Sequence, residues 1–123
     1  MPRHSRKELS VKRIYDPPAE TDGLRILVDR LWPRGIAKEK AAIDLWLRDL
    51  APSNALRQRF HGKPADWAAF RAAYARELAG DAAQAAVATL RTHLAEGKVT
   101  LLYAARDTAH NNAVALKAWL EKS

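Results

Sequence analysis

The sequence predicts an α/β fold, a compact single domain with a small, mostly parallel sheet flanked by helices. Two short apolar runs, Leu24 to Val28 and Val99 to Ala104, carry β-branched residues and end in polar or turn-forming loops, as strands covered on both faces do. Between and after them lie segments whose apolar residues recur at helical spacing. Strand, helices, strand, helix is the order of an α/β domain. The 123 residues suit one domain with one core, here 10–123, preceded by a flexible basic tail, 1–9.

Taken in order, the tail has almost no apolar residues and no periodicity. Val11 to Tyr15 is a short strand candidate closed by Asp16, Pro17 and Pro18, and polar residues 19–23 lead into the run at Leu24. That run empties into Asp29, Arg30, Trp32, Pro33, Arg34 and Gly35, where proline and glycine forbid its continuation. Ile36 to Leu50 stays ambiguous: Ile43, Trp46, Leu47 and Leu50 fit a helix, while Ile43, Leu45 and Leu47 alternate like a strand.

Ser53 or Asn54 can cap a short helix through Phe60. Pro64 to Ala79 reads as a helix with Trp67, Phe70, Tyr74 and Leu78 on one stripe, stopped by Gly80. Asp81 can cap the next helix, whose Ala83, Val87, Leu90 and Leu94 repeat the stripe until Gly97; the two helices form an antiparallel hairpin. After Val99 to Ala104 comes a polar loop, then a last amphipathic helix from about Asn112 to Lys122 with Ala113, Leu116, Trp119 and Leu120 inward.

Composition excludes several chemistries. With no cysteine there is no disulfide, no thiolate nucleophile and no Cys-based metal centre. No apolar run approaches the ~18 residues that span a bilayer, and no apolar segment follows the charged start, so a cytoplasmic protein without a membrane partner is expected. The net charge of +7 invites nucleic acid as a partner. However, Arg3, Arg6, Lys7, Lys12 and Arg13 against Glu8 place +4 of it in residues 1–13, so a nucleic-acid-binding module or transcriptional regulator working through the basic tail is the alternative reading. Phosphate-binding and dinucleotide glycine loops, the GxSxG elbow and HExxH are all missing. No metal site is expected, and no cofactor is indicated.

Parallel neighbours place their carboxyl ends on one edge, where ligands of open α/β sheets bind. The two strand exits bring Asp29, Arg30, Trp32, Arg34 and Lys38 from one side and Tyr103, Arg106, Asp107, His110, Asn111 and Asn112 from the other. Guanidinium groups suit phosphate or carboxylate, so the expected ligand is a small anion, a phosphate, nucleotide or carboxylate, with Arg30, Arg34 and Arg106 as clamps and Trp32 as a stacking wall. His110 is the residue of this set whose type titrates near neutral pH, which makes it the candidate acid or base. Structural roles stay open: Asp29 and Arg30 as a loop-closing ion pair, Trp32 as a lid on the core, Asn111 or Asn112 as an N-cap, His110 as a partner of a loop carbonyl. His61 and His93 read as surface residues, Trp46 and Trp67 as core, and Ser53 as a cap.

The stretches VDRLWPRGIAK (28–38), LWLRDLAPS (45–53) and TLLYAARDTAHNNAVALKAWL (100–120) occur in one order. In these the chain resembles the YeaO-like branch of the domain-of-unknown-function 488 family, from Ser10 to its end. The resemblance implies a compact α/β fold in which 45–50 is strand, and an uncharacterised function. The broader family looks to carry a Cys-His-Arg motif entering the last helix, where this chain has His110, Asn111 and Asn112, so thiol chemistry is not carried over.

Overall fold

The computed structural model describes residues 8–61 and 63–122; most of the predicted tail lies outside the described residues. Four parallel strands form one sheet in the order β1-β4-β2-β3, with β1 Leu9–Arg13, β2 Leu24–Leu27, β3 Leu45–Trp46 and β4 Val99–Tyr103. The helices are α1 Lys38–Ala41, α2 Asn54–Phe60, α3 Trp67–Leu78, α4 Asp81–Glu96 and α5 Asn112–Lys122. Among the described residues no helix is long and apolar enough to cross a membrane.

Strands β2 and β4 are parallel neighbours, Leu24 opposite Val99 through Leu27 opposite Leu102. Alternation along them then divides the core. Ile26, Val28, Leu101 and Tyr103 face one way and pack with residues of α2, α3, α4 and α5 in the main cluster. Leu27 and Leu102 face the other way with Ile14, and their cover is Trp32, Ile36, Ile43 and Trp46. One face is thus a four-helix layer, and the other is roofed mainly by the segment that follows β2.

Three expectations shift. Strand β1 begins at Leu9 rather than Val11, because it pairs residue for residue with the whole of β4. The 45–50 stretch is strand only at Leu45 and Trp46: Leu47 N–H bonds to Leu27, the last residue of β2, and with no partner strand left the chain coils into a 3-10 turn, Arg48–Leu50. Buried Tyr74 ties off that turn by donating its hydroxyl to the Leu50 carbonyl. Gly80, not Asp81, is the N-cap of α4, and Asp81 instead supplies negative charge to the first turn.

Other local readings hold. Ser53 caps α2 by accepting from Leu56 N–H at 3.1 Å, and its own hydroxyl donates to Glu77 at 2.7 Å, which pins α2 to α3. Gly97 ends α4. Trp46 and Trp67, expected in the core, are instead half-buried, each leaning on a core cluster rather than lying inside it. Entry into β2 needs Gly23, whose φ is +68° and where a Cβ would stand 2.4 Å from the Lys98 carbonyl oxygen.

Candidate functional site

At the carboxyl edge of the sheet the exits of β2 and β4 meet. Ala104 N–H donates to Asp29 Oδ2 at 3.0 Å, and the Asn112 amide donates to Asp29 Oδ1 at 3.1 Å and to the Val28 carbonyl at 3.0 Å. Trp46 Nε1 adds a bond to the Asp29 carbonyl at 2.7 Å. Asp29 therefore joins β2, β3, β4 and α5 at one point. Above it opens a cleft of about 420 Å³, inside the ~300–1,000 Å³ range of small-ligand sites. Loop residues 29–34, Ala51 and Pro52, Arg57 and Phe60 of α2, Phe70 of α3 and residues 104–105 and 110–112 line it.

The charge in this cleft is unbalanced. Burial raises the Asp29 carboxyl above its ordinary value, against the opposing pull of the Asn112 and Ala104 hydrogen bonds and of the Arg57 charge. Both of its oxygens are already engaged inside the protein. Against this one acid stand Arg30, Arg34 and Arg57. Arg30 is tethered, donating to the Ala51 carbonyl at 3.1 Å and the Pro52 carbonyl at 3.4 Å. Arg57 reaches Asn54 at 3.0 Å. Among the described residues nothing engages the exposed Arg34 guanidinium, although the Arg34 carbonyl accepts from Tyr15 at 2.8 Å.

His110 is held from several sides. Asp107 Oδ1 accepts from the backbone N–H of Ala109 at 2.8 Å and of His110 at 2.9 Å, while its Oδ2 lies 3.0 Å from His110 Nδ1. Those two N–H bonds, with the His110 ring, hold the Asp107 carboxyl below its ordinary value. Trp67 meets the imidazole edge to face, ring centres 5.2 Å apart. A carboxylate only accepts, so Nδ1 carries its proton toward Asp107, and Nε2 is the ring nitrogen that Asp107 does not engage.

The family model described as the inactive DUF488-N3 subclade matches residues 8–123. The chain belongs to this family. Over 122 aligned positions it is 45% identical to the uncharacterized protein YeaO of Escherichia coli K12, covering 91% of this chain and 96% of that protein. The uncharacterized proteins Mb3100c of Mycobacterium bovis and Rv3073c of Mycobacterium tuberculosis are each 38% identical over 106 residues, covering 86% of this chain and 87% of theirs. No solved structure matches.

In this DUF488 protein the predicted residues separate into two groups. Asp29, Arg30, Trp32, Arg34, His110, Asn111 and Asn112 line the cleft. Trp32 also does structural duty, donating Nε1 to the Ile36 carbonyl at 2.7 Å and meeting Trp46 edge to face at 5.4 Å. Asn111 is the cap of α5, accepting from Val114 N–H at 2.9 Å. Asp107 stands behind His110 rather than on the cleft wall. Tyr103 is buried in the main cluster, and Lys38 lies at the start of α1 with its ammonium 5.8 Å from the Trp32 ring centre.

Arg106 does not share the cleft with Arg34. Arg13 donates to the Ala105 carbonyl at 2.9 Å and the Ala104 carbonyl at 3.3 Å and fixes the chain leaving β4, where Ala104 and Ala105 line the cleft while Arg106 is exposed outside it. Arg57 stands as the third arginine instead. It was unreadable from sequence, since a polar position on a short helix carries no sign of what that helix faces. Tyr15 had a signal: it follows β1, whose exit lies on the same edge. Among the described residues no group of three or more His, Asp and Glu side chains is arranged to hold a metal ion.

Proposed function

We propose that this chain binds a small anion, a phosphate or carboxylate group, in the cleft at the carboxyl edge of the sheet. The observation that carries the reading is the surplus of Arg30, Arg34 and Arg57 over a single carboxylate already committed to internal hydrogen bonds. Arginine recognises such groups through two parallel N–H bonds, and an uncommitted guanidinium beside apolar walls forms them at little cost in rearrangement. A binding role rather than a reaction fits the description of the matched family as inactive. His110, oriented by Asp107, contributes as a hydrogen-bonding wall of the site.

Calorimetric titration with inorganic phosphate tests this on the whole chain. Arg34→Ala is expected to weaken binding roughly tenfold or more, since a charge-assisted bidentate contact contributes about 1.5–3 kcal/mol. Arg34→Lys should restore only part of the loss, because a point charge lacks the fork. Absence of phosphate binding by the unaltered protein, or equal affinity in all three, sinks the proposal.

A further inference from the structure

Among the described residues the large hydrophobic side chains that remain exposed are Tyr15, at 43%, and Leu31, at 66%. Both line the same cleft as the arginines. Scattered exposed hydrophobics are ordinary on a protein surface, but two gathered at the rim of a charged cleft mark a place where apolar surface is to be covered. Neither has been placed there by loose packing of its own loop. Tyr15 is anchored through its hydroxyl to the Arg34 carbonyl at 2.8 Å, and Pro33, between Trp32 and Arg34, is buried.

Resting on the anion-binding reading above, we infer that the ligand of this cleft is an anion carrying a flat apolar group, held by Arg34 and Arg57 at its charge and by Tyr15 and Leu31 along its body. The guanidinium of Arg13 lies over the Tyr15 ring, 4.9 Å from its centre, and so occupies one ring face. Tyr15 nevertheless stays exposed, so ring surface remains for a flat partner, and a cation behind a ring does not prevent stacking in front of it. Deeper in the cleft Phe60 and Phe70 stack at 4.5 Å between centres and give an apolar floor. Bare phosphate would satisfy the arginines and leave these surfaces wet. An aryl phosphate covers both.

The test compares inorganic phosphate with phenyl phosphate by calorimetry on the full chain and on Leu31→Ser, Tyr15→Ala and Arg34→Ala. Leu31 is exposed, so Leu31→Ser is expected to fold normally; thermal melts establish this for each variant. Phenyl phosphate should bind about tenfold more tightly than phosphate, the gain expected from burying a few tens of Å² of apolar surface on each partner. Leu31→Ser should reduce that advantage severalfold with phosphate affinity unchanged; Tyr15→Ala, which also releases the Arg34 carbonyl, should weaken phenyl phosphate severalfold more than phosphate, and Arg34→Ala should weaken both probes alike. Equal affinity for the two probes overturns the inference while leaving anion binding intact. Failure of both probes to bind removes the anion reading and this inference with it. If Leu31→Ser alters only the oligomeric state, the rim is a protein contact and the inference is again overturned.

Discussion

The two edges of the sheet each hold an aspartate among basic side chains, Asp22 buried and Asp29 half-buried, and they use it in opposite ways. Toward the amino edge, Asp22 is paired directly with Arg25 and with Lys12, the latter at 3.0 Å, and takes the Ala19 N–H at 3.0 Å. Arg25 spends its remaining donors on the Ala41 and Ala42 carbonyls, at 3.2 and 2.8 Å, and buried Thr100 bonds the Asp22 carbonyl at 2.6 Å. Burial by itself would push the Asp22 carboxyl up, but the Ala19 N–H, Lys12 and Arg25 outweigh it and hold it at about 2. At the carboxyl edge the carboxylate of Asp29 has only neutral hydrogen-bond partners, an amide and a backbone N–H, and burial prevails over these and the Arg57 charge. Charges paired directly inside the fold stabilise it; charges left unpaired at the rim are available to something else.

The largest expected effect is at the closed edge. Asp22→Asn leaves Arg25, 4% exposed, without its counter-ion and should cost about 3–5 kcal/mol in urea unfolding at pH 7. Asp29→Asn removes a carboxylate whose ionised form burial already disfavours, so the loss should be about 1–2 kcal/mol, from one hydrogen bond reversed. Equal losses in the two variants would erase the distinction between the edges.

Acid unfolding sharpens it. Since the folded value of Asp22 lies below the ordinary 3.8, its stabilisation is fully present above that value and drains away as pH falls toward about 2. The change, about 2 kcal/mol, should appear between pH 5 and 2 and be missing in Asp22→Asn. For Asp29 the sign is reversed: its raised folded value makes ionisation a cost that appears as pH rises past the ordinary carboxylate range. Asp29→Asn should therefore steepen the acid loss slightly rather than flatten it. Smallest of all is Arg34→Ala, which touches no packed group and should leave stability within about 0.5 kcal/mol by thermal melt; a loss of several kcal/mol would make Arg34 a brace and return the carboxyl edge to a structural role.

By itself the sequence determined the elements whose signals are local. Hydrophobic spacing defined the runs at Leu24 and Val99 and the stripes of α3, α4 and α5, and Ser53 marked a helix start, because burial of one face and satisfaction of first-turn N–H groups are decided within a few residues. The parallel pairing of β2 with β4, and hence the meeting of their exits, followed from two doubly buried strands. What only the tertiary structure decided is which side chains turn toward one another across long separations. Ala104 and Ala105 line the cleft while Arg106 falls outside it; α2 brings Arg57 in; β3 stops at Trp46 because β2 ends opposite it. Each depends on strand order, on where a partner strand ends and on which carbonyls remain unpaired, and these are settled by the assembled sheet rather than by the spacing of residues along the chain.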